Sequence, residues 1–177
     1  MKKTTKGRGE ACLAPTGLVD MKLSELVSED LILPSLTGND VPSVLQEFAQ
    51  AVCAAGKFSD SETLYERLYE REKQESTGIG NGVAIPHCKV DNLQQVLLAI
   101  GYAPNGVDFK ASDGNRTYFF FLVVSPSSSS VLHMRTLAAL SRLLRSSNFI
   151  SHLQQSPDKQ ELIALIKQEE EKAAITT

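Results

Sequence analysis

The sequence predicts an α/β fold, a single domain in which a mixed β-sheet is flanked by helices on both faces. The chain has 177 residues, the usual length of one domain. Hydrophobic residues make up 42% and charged residues 22%, as in an ordinary globular protein. Helical and strand-like patterns alternate along the chain, and the connections between strands differ in length, which favours a mixed sheet.

Residues 1–20 are expected to form a flexible N-terminal tail, because they are basic and lack apolar periodicity. Polar residues, glycine and proline interrupt the stretch before it could form a signal peptide. No apolar run approaches 18 residues, so we expect no direct membrane insertion. The three cysteines, Cys12, Cys53 and Cys88, lack the spacing of a metal or redox motif. We therefore expect a cytoplasmic protein with a domain over 21–172 and a C-terminal tail over 173–177.

The first half of the domain is predicted to be mainly helical. A short helical turn at 23–27 precedes an extended segment over 31–36. Ser43 is expected to cap a helix with one apolar stripe, which ends at Gly56. A second helix begins at Ser59 or Asp60, carries many charges and ends near Lys73.

The second half is predicted to alternate strands and helices. Strands are expected over 83–90, 96–102 and 117–124, with turns at the glycines 78, 80 and 82, at Asn105-Gly106 and at Asp113-Gly114. The third strand is continuously apolar and should be central. Helices are expected over 131–144 and from Pro157 onwards.

The charge balance argues against a nucleic-acid partner. Eighteen Lys and Arg oppose 21 Asp and Glu, a net charge of −3. A chain that binds DNA or RNA usually presents a broad basic surface.

The segment 71–89, REKQESTGIGNGVAIPHCK, carries the chemistry. Its glycines allow close backbone approach to an anion, but neither a Walker loop nor a dinucleotide fingerprint follows. The segment ends with Pro86 and His87, which places an imidazole on a stiffened strand end.

The string STGIGNGVAIPH resembles the enzyme IIA domain of the bacterial sugar phosphotransferase system, in its fructose/mannitol/nitrogen-regulatory class. The resemblance covers about 22–171 and extends to GVDFKASDG at 106–114 and HMRTLAALSRLLR at 133–145. It implies that His87 is phosphorylated, that Arg71 is an active-site cation and that His133 is the second active-site histidine.

Elementary chemistry agrees with these roles. A neutral imidazole is a competent nucleophile, and phosphoryl transfer depends on positioning and on stabilising charge. The turn residues Gly80, Asn81 and Gly82 offer backbone N–H groups, and the Thr77 hydroxyl is a further candidate to orient His87 or bind phosphate. We expect no metal and no cofactor.

Several alternatives remain open at this stage. Arg67 lies one helical turn before Arg71 and competes for its role. His133 is alternatively a solvent-facing residue at a helix start, and the serines at 127–130 are most simply a loop. Cys88 should face away from His87, because neighbouring strand residues point to opposite faces.

The sequence therefore predicts a phosphotransferase that carries phosphoryl groups as phosphohistidine. The resemblance implies a histidine-containing carrier of the HPr type as donor and an enzyme IIB domain as acceptor in sugar uptake. The alternative is a free-standing nitrogen-regulatory protein, whose phosphorylation state controls its binding to regulatory target proteins.

Overall fold

The computed structural model describes residues 22–155 and 158–175. The tail predicted for 1–20 and the predicted helix start at Pro157 lie outside these residues. Within them, a mixed sheet of six strands is covered by six helices on both faces, which confirms the predicted fold class. None of the helices described is long and apolar enough to cross a membrane.

The elements in chain order are α1 (Leu23–Leu26), β1 (Val27–Leu33), α2 (Val41–Ala54), α3 (Ser61–Gln74), β2 (Gly78–Gly80), β3 (Val83–Ala84), β4 (His87–Val90), β5 (Leu97–Val107), β6 (Thr117–Pro126), α4 (Ser130–Leu143), α5 (Ser147–Leu153) and α6 (Lys159–Ile175). The strand order is β1-β5-β6-β3-β2, and β4 also pairs with β6. Strand β6 runs parallel to β3 and β4 and antiparallel to β5, so it is the central strand that its apolar sequence predicts.

Each face of the sheet has its own apolar core. Phe120, Leu122 and Val124 of β6 pack with α2 and α3 on one face. Phe119, Phe121 and Val123 alternate with them and pack with α4, α5 and α6 on the other face. This alternation also fixes which residues of β4 face each layer of helices.

The predicted strand over 83–90 is two short strands, because Pro86 has no N–H to offer a ladder. The Pro86 carbonyl still accepts a hydrogen bond of 2.9 Å from the Val123 N–H, which keeps the chain aligned with β6. His87 is the first residue after this break.

Asn105-Gly106 does not end a strand, as the sequence predicts, but lies within β5. Gly106 has φ +63°, and the pairing with β6 shifts between Tyr102 and Val107. The glycine therefore permits a β-bulge rather than a turn.

Several predicted boundaries are also wrong. Asp40, not Ser43, caps α2; its side chain accepts from the Ser43 N–H at 2.9 Å, and the Ser43 hydroxyl accepts from the Asp40 N–H. Strand β1 begins at Val27, before the predicted start at Leu31, because the polar residues at 28–30 of this edge strand give no apolar pattern. Helix α5, capped by Ser146, was not predicted because only two of its residues are buried. Helix α6 ends at Ile175.

Candidate functional site

His87 is a half-buried imidazole whose proton is held at a defined nitrogen. Its Nδ1 lies 2.8 Å from the Ile85 carbonyl oxygen, which can only accept, so Nδ1 carries the ring proton. Burial lowers the pKa of His87 below its usual value, and the nearby Arg71 charge lowers it further, against the raising effect of the Ile85 hydrogen bond. The ring is therefore neutral near pH 7, with a lone pair on Nε2.

Arg71 contacts that lone pair directly. Its Nε–H donates to His87 Nε2 at 3.1 Å, and its Nη1 donates to the Glu75 carbonyl at 2.9 Å. Helix α3 packs on the sheet face opposite His87, and the Arg71 side chain nevertheless reaches the imidazole. Arg67, the competing candidate, is exposed and pairs with Glu70 at 3.8 Å. The structure thus brings Arg71, and not Arg67, to His87.

His133 lies next to His87 and belongs to the first turn of α4. The two ring centroids are 5.5 Å apart. His133 is only 7% exposed, so it does not face solvent. Its Nδ1 is 2.9 Å from the Ser125 hydroxyl oxygen. Burial, followed by the charges of His87, Lys89 and Arg71, lowers the pKa of His133 to about 4, which keeps this imidazole neutral at pH 7.

Lys89 is a site residue that the sequence analysis missed. It is two residues beyond His87 on β4, so both side chains leave the same face of the strand. Its Nζ donates to the Ser130 hydroxyl at 3.2 Å, at the start of α4. The i, i+2 spacing from His87 in a predicted strand was the sequence pattern that indicated this position. Ser130 belongs to the serine run that was predicted to be a loop.

Cys88 faces the opposite layer, as predicted from strand alternation. It is buried in the core that α2 and α3 cover. Burial raises the pKa of its thiol to about 12, and the charge of Arg67 offsets this only in part. The thiol is therefore protonated and apart from the histidine pair.

The Thr77 hydroxyl does not turn towards His87. It donates to Glu72 Oε2 at 2.5 Å, while the Thr77 N–H donates to Glu72 Oε1 at 2.8 Å. Both residues are buried. These two hydrogen bonds hold the loop after α3, and Glu72 is the residue next to Arg71 in sequence.

The turn of Gly80, Asn81 and Gly82 is not brought to His87 either. Val83 pairs with Phe119, and His87 pairs with Val123, so about 13 Å of strand separates the turn from the imidazole. The Asn81 N–H is taken by Asp113 at 2.9 Å. All three residues have positive φ. Because glycine adopts positive φ without steric cost, the tight turn itself accounts for the glycines in this segment.

The arrangement is thus a neutral imidazole that contacts a guanidinium and lies beside a second neutral imidazole, with an ammonium nearby. Among the described residues, no three His, Cys, Asp or Glu side chains gather into a group that could hold a metal ion.

Comparison with known proteins places this chain in a family. The model of the phosphoenolpyruvate-dependent sugar phosphotransferase system, EIIA 2, matches residues 25–169. A nitrogen regulatory protein of Bradyrhizobium diazoefficiens is 32% identical over 146 residues, which are 82% of this chain and 95% of that protein. The fructose-specific EIIABC component of Bacillus subtilis is 30% identical over 148 residues, 84% of this chain, but the chain spans only 23% of its length.

Solved structures share the fold. The nitrogen regulatory protein IIA-Ntr of Neisseria meningitidis superposes with a TM-score of 0.76 at 23% identity, covering 81% of this chain and 98% of that one. The enzyme IIA mannitol of Escherichia coli, in its complex with phosphorylated enzyme IIB mannitol, gives a TM-score of 0.68 at 15% identity, covering 80% and 96%. These similarities establish the fold alone.

Proposed function

This chain belongs to the EIIA 2 family of the phosphoenolpyruvate-dependent sugar phosphotransferase system, and we propose that it is a phosphocarrier whose acceptor atom is Nε2 of His87. The observation that carries the proposal is the pair of contacts on one ring. Nδ1 donates to the Ile85 carbonyl at 2.8 Å, and Nε2 accepts from Arg71 at 3.1 Å. The lone pair therefore stands beside the group that can neutralise a phosphoryl charge.

The transfer needs no proton movement. The lone pair on Nε2 forms a bond to phosphorus while the donor's N–P bond breaks and its electron pair returns to the donor imidazole. The phosphorylated His87 ring keeps its Nδ1–H and gains positive charge. The Ile85 carbonyl, which accepts from that N–H, stabilises this charge.

The surrounding groups receive the phosphoryl oxygens. The Arg71 N–H exchanges its bond to Nε2 for a charge-assisted bond to an oxygen as the phosphoryl group arrives. Its second anchor on the Glu75 carbonyl keeps the guanidinium in place. His133, buried and neutral, adds an imidazole donor without a competing charge, and Lys89 adds a cation at the rim.

We infer an HPr-type carrier as donor and an enzyme IIB domain as acceptor in sugar uptake. The structure of IIA mannitol with phosphorylated IIB mannitol supports the second inference, since the folds are alike. Val131 and Met134 flank His133 in sequence and are 68% and 63% exposed, which suits a small and transient apolar contact.

A regulatory role is the second candidate. The chain covers 95% of the Bradyrhizobium nitrogen regulatory protein, against 23% of the Bacillus EIIABC component. In this role phosphorylation of His87 controls binding to a target protein rather than sugar uptake.

Intact-mass spectrometry tests the proposed function. The protein is incubated with phosphoenolpyruvate, enzyme I and HPr and kept at neutral to alkaline pH. One acid-labile phosphate is expected on the wild type and on His152→Ala, the exposed histidine of α5, and none on His87→Ala. Phosphate on His87→Ala contradicts the proposal. The absence of phosphate from all three forms, when several HPr homologues have been tried as donor, also contradicts it.

Adding purified IIB domains to the phosphorylated protein then distinguishes the sugar-uptake role from the regulatory role. In sugar uptake, adding IIB removes the phosphate from the protein within seconds to minutes. In the regulatory role the phosphate persists, and a pull-down recovers a target from only one phosphorylation state.

A further inference from the structure

Ser125 is a buried polar residue on the mainly apolar strand β6. It lies near the end of β6, where it pairs with Lys89, and it has no exposed surface. Strand alternation places it on the same face as Phe121 and Val123, towards α4. Its hydroxyl oxygen lies 2.9 Å from His133 Nδ1.

The direction of this hydrogen bond decides the tautomer of His133. A buried hydroxyl proton requires an acceptor. Within residues 22–155 and 158–175, the Ser125 hydroxyl lies within hydrogen-bond distance of one side-chain nitrogen, His133 Nδ1 at 2.9 Å, which is therefore the acceptor available to its proton. If Nδ1 accepts, the ring proton of the neutral imidazole stands on Nε2.

That placement matters for transfer. Nε2 is the ring nitrogen remote from Ser125, and the His133 ring centroid is 5.5 Å from that of His87. With the proton on Nε2, the imidazole donates to a phosphoryl oxygen. With the proton on Nδ1, it presents a lone pair to a negatively charged group, which is repulsive.

We propose that Ser125 is a positioning residue that fixes the Nε2–H tautomer of His133, so that His133 donates a hydrogen bond to a phosphoryl group on His87. The hydrogen bond itself stands independently, whereas its use in transfer rests on the proposed function.

The test combines a spectroscopic and a kinetic measurement. The ¹⁵N shifts of the His133 ring at pH 7.5 report which nitrogen is protonated. We expect Nε2–H alone in the wild type and a mixture of tautomers in Ser125→Ala. The rate of phosphoryl acceptance from phospho-HPr should fall about fivefold in Ser125→Ala, as for the loss of one neutral hydrogen bond.

Two further variants serve as controls. Ser125→Thr keeps the hydroxyl and should restore both the tautomer and the rate. Ser151→Ala removes an exposed hydroxyl that donates to the Ser147 carbonyl in α5, and should behave as the wild type.

A wild-type spectrum with the proton on Nδ1 overturns the proposal, whether or not the variants fold. An unchanged tautomer in folded Ser125→Ala also overturns it. A wild type that shows Nε2–H but accepts no phosphoryl group refutes the proposed function while leaving the Ser125 assignment intact.

Discussion

The Nε–H of Arg71 donates to Nε2 of His87 at 3.1 Å, although the two residues belong to a helix and a strand on different layers of the fold. The contact occupies the nucleophilic lone pair at rest. In the proposed function the same guanidinium binds the incoming phosphoryl group, so the contact would place the cation before transfer begins.

Arg71→Lys tests this contact. A lysine keeps the charge but has neither the Nε–H nor the planar fork that anchors to Glu75. We expect the rate of phosphoryl acceptance to fall about 10- to 100-fold, as for the loss of a charge-assisted hydrogen bond. Quenched-flow transfer from phospho-HPr measures it. Arg67→Lys, which is exposed and pairs with Glu70, is the matched control and should stay within about twofold. Equal losses in the two variants would refute the assignment.

Lys89→Gln tests the rim cation. Lys89 is exposed and hydrogen-bonded to Ser130, so its charge is partly screened. We expect a two- to fivefold slower transfer, about the effect of an exposed charge pair, that disappears as salt is raised. Lys57→Gln, whose lysine pairs with Asp30 at 3.6 Å, is the control. A defect that persists at high salt contradicts a screened role.

His133 should make stability depend on pH. Its pKa is about 4 in the folded protein because of burial, against about 6.5 when unfolded. Between these values the unfolded chain binds a proton that the folded chain does not, so the free energy of unfolding falls as pH falls from 6.5 to 4. Urea unfolding should show a shallower decline over this window in His133→Gln. Parallel declines in the variant and the wild type would contradict a depressed pKa.

The hydrogen bonds between Thr77 and Glu72 should contribute to stability. Thr77→Val leaves the buried Glu72 Oε2 without its donor, which costs about 1–3 kcal/mol in urea unfolding. Thr63→Val is a matched control, because Thr63 also donates to a carboxylate, Asp60 Oδ2 at 2.6 Å, but in an exposed cap. Its loss should stay below about 1 kcal/mol. Similar losses would show that burial of Glu72 is unimportant.

The elements that sequence predicts well have a strong local signal. The continuous apolar run of β6 identifies a strand buried on both faces, and the apolar stripe of α2 with Gly56 identifies a helix and its end. Helix α5 is not predicted, and strand β1 is predicted to start too late, because short elements with polar residues depend on tertiary packing.

The site residues likewise differ in how far the sequence alone could predict them. Arg71 and His133 were expected only through a family resemblance, and the structure brings both to His87. Ser125 could not be found from its neighbours in sequence, because its partner is eight residues away on another element. The glycines at 80 and 82 were misleading, since a tight turn and an anion-binding loop require the same residues.

The most direct test is ¹⁵N and ³¹P NMR of the phosphorylated, ¹⁵N-histidine-labelled protein at alkaline pH. The account predicts a phosphorus–nitrogen coupling to Nε2 of His87, with the proton retained on Nδ1. Phosphorus on Nδ1, or on any residue other than His87, would contradict it.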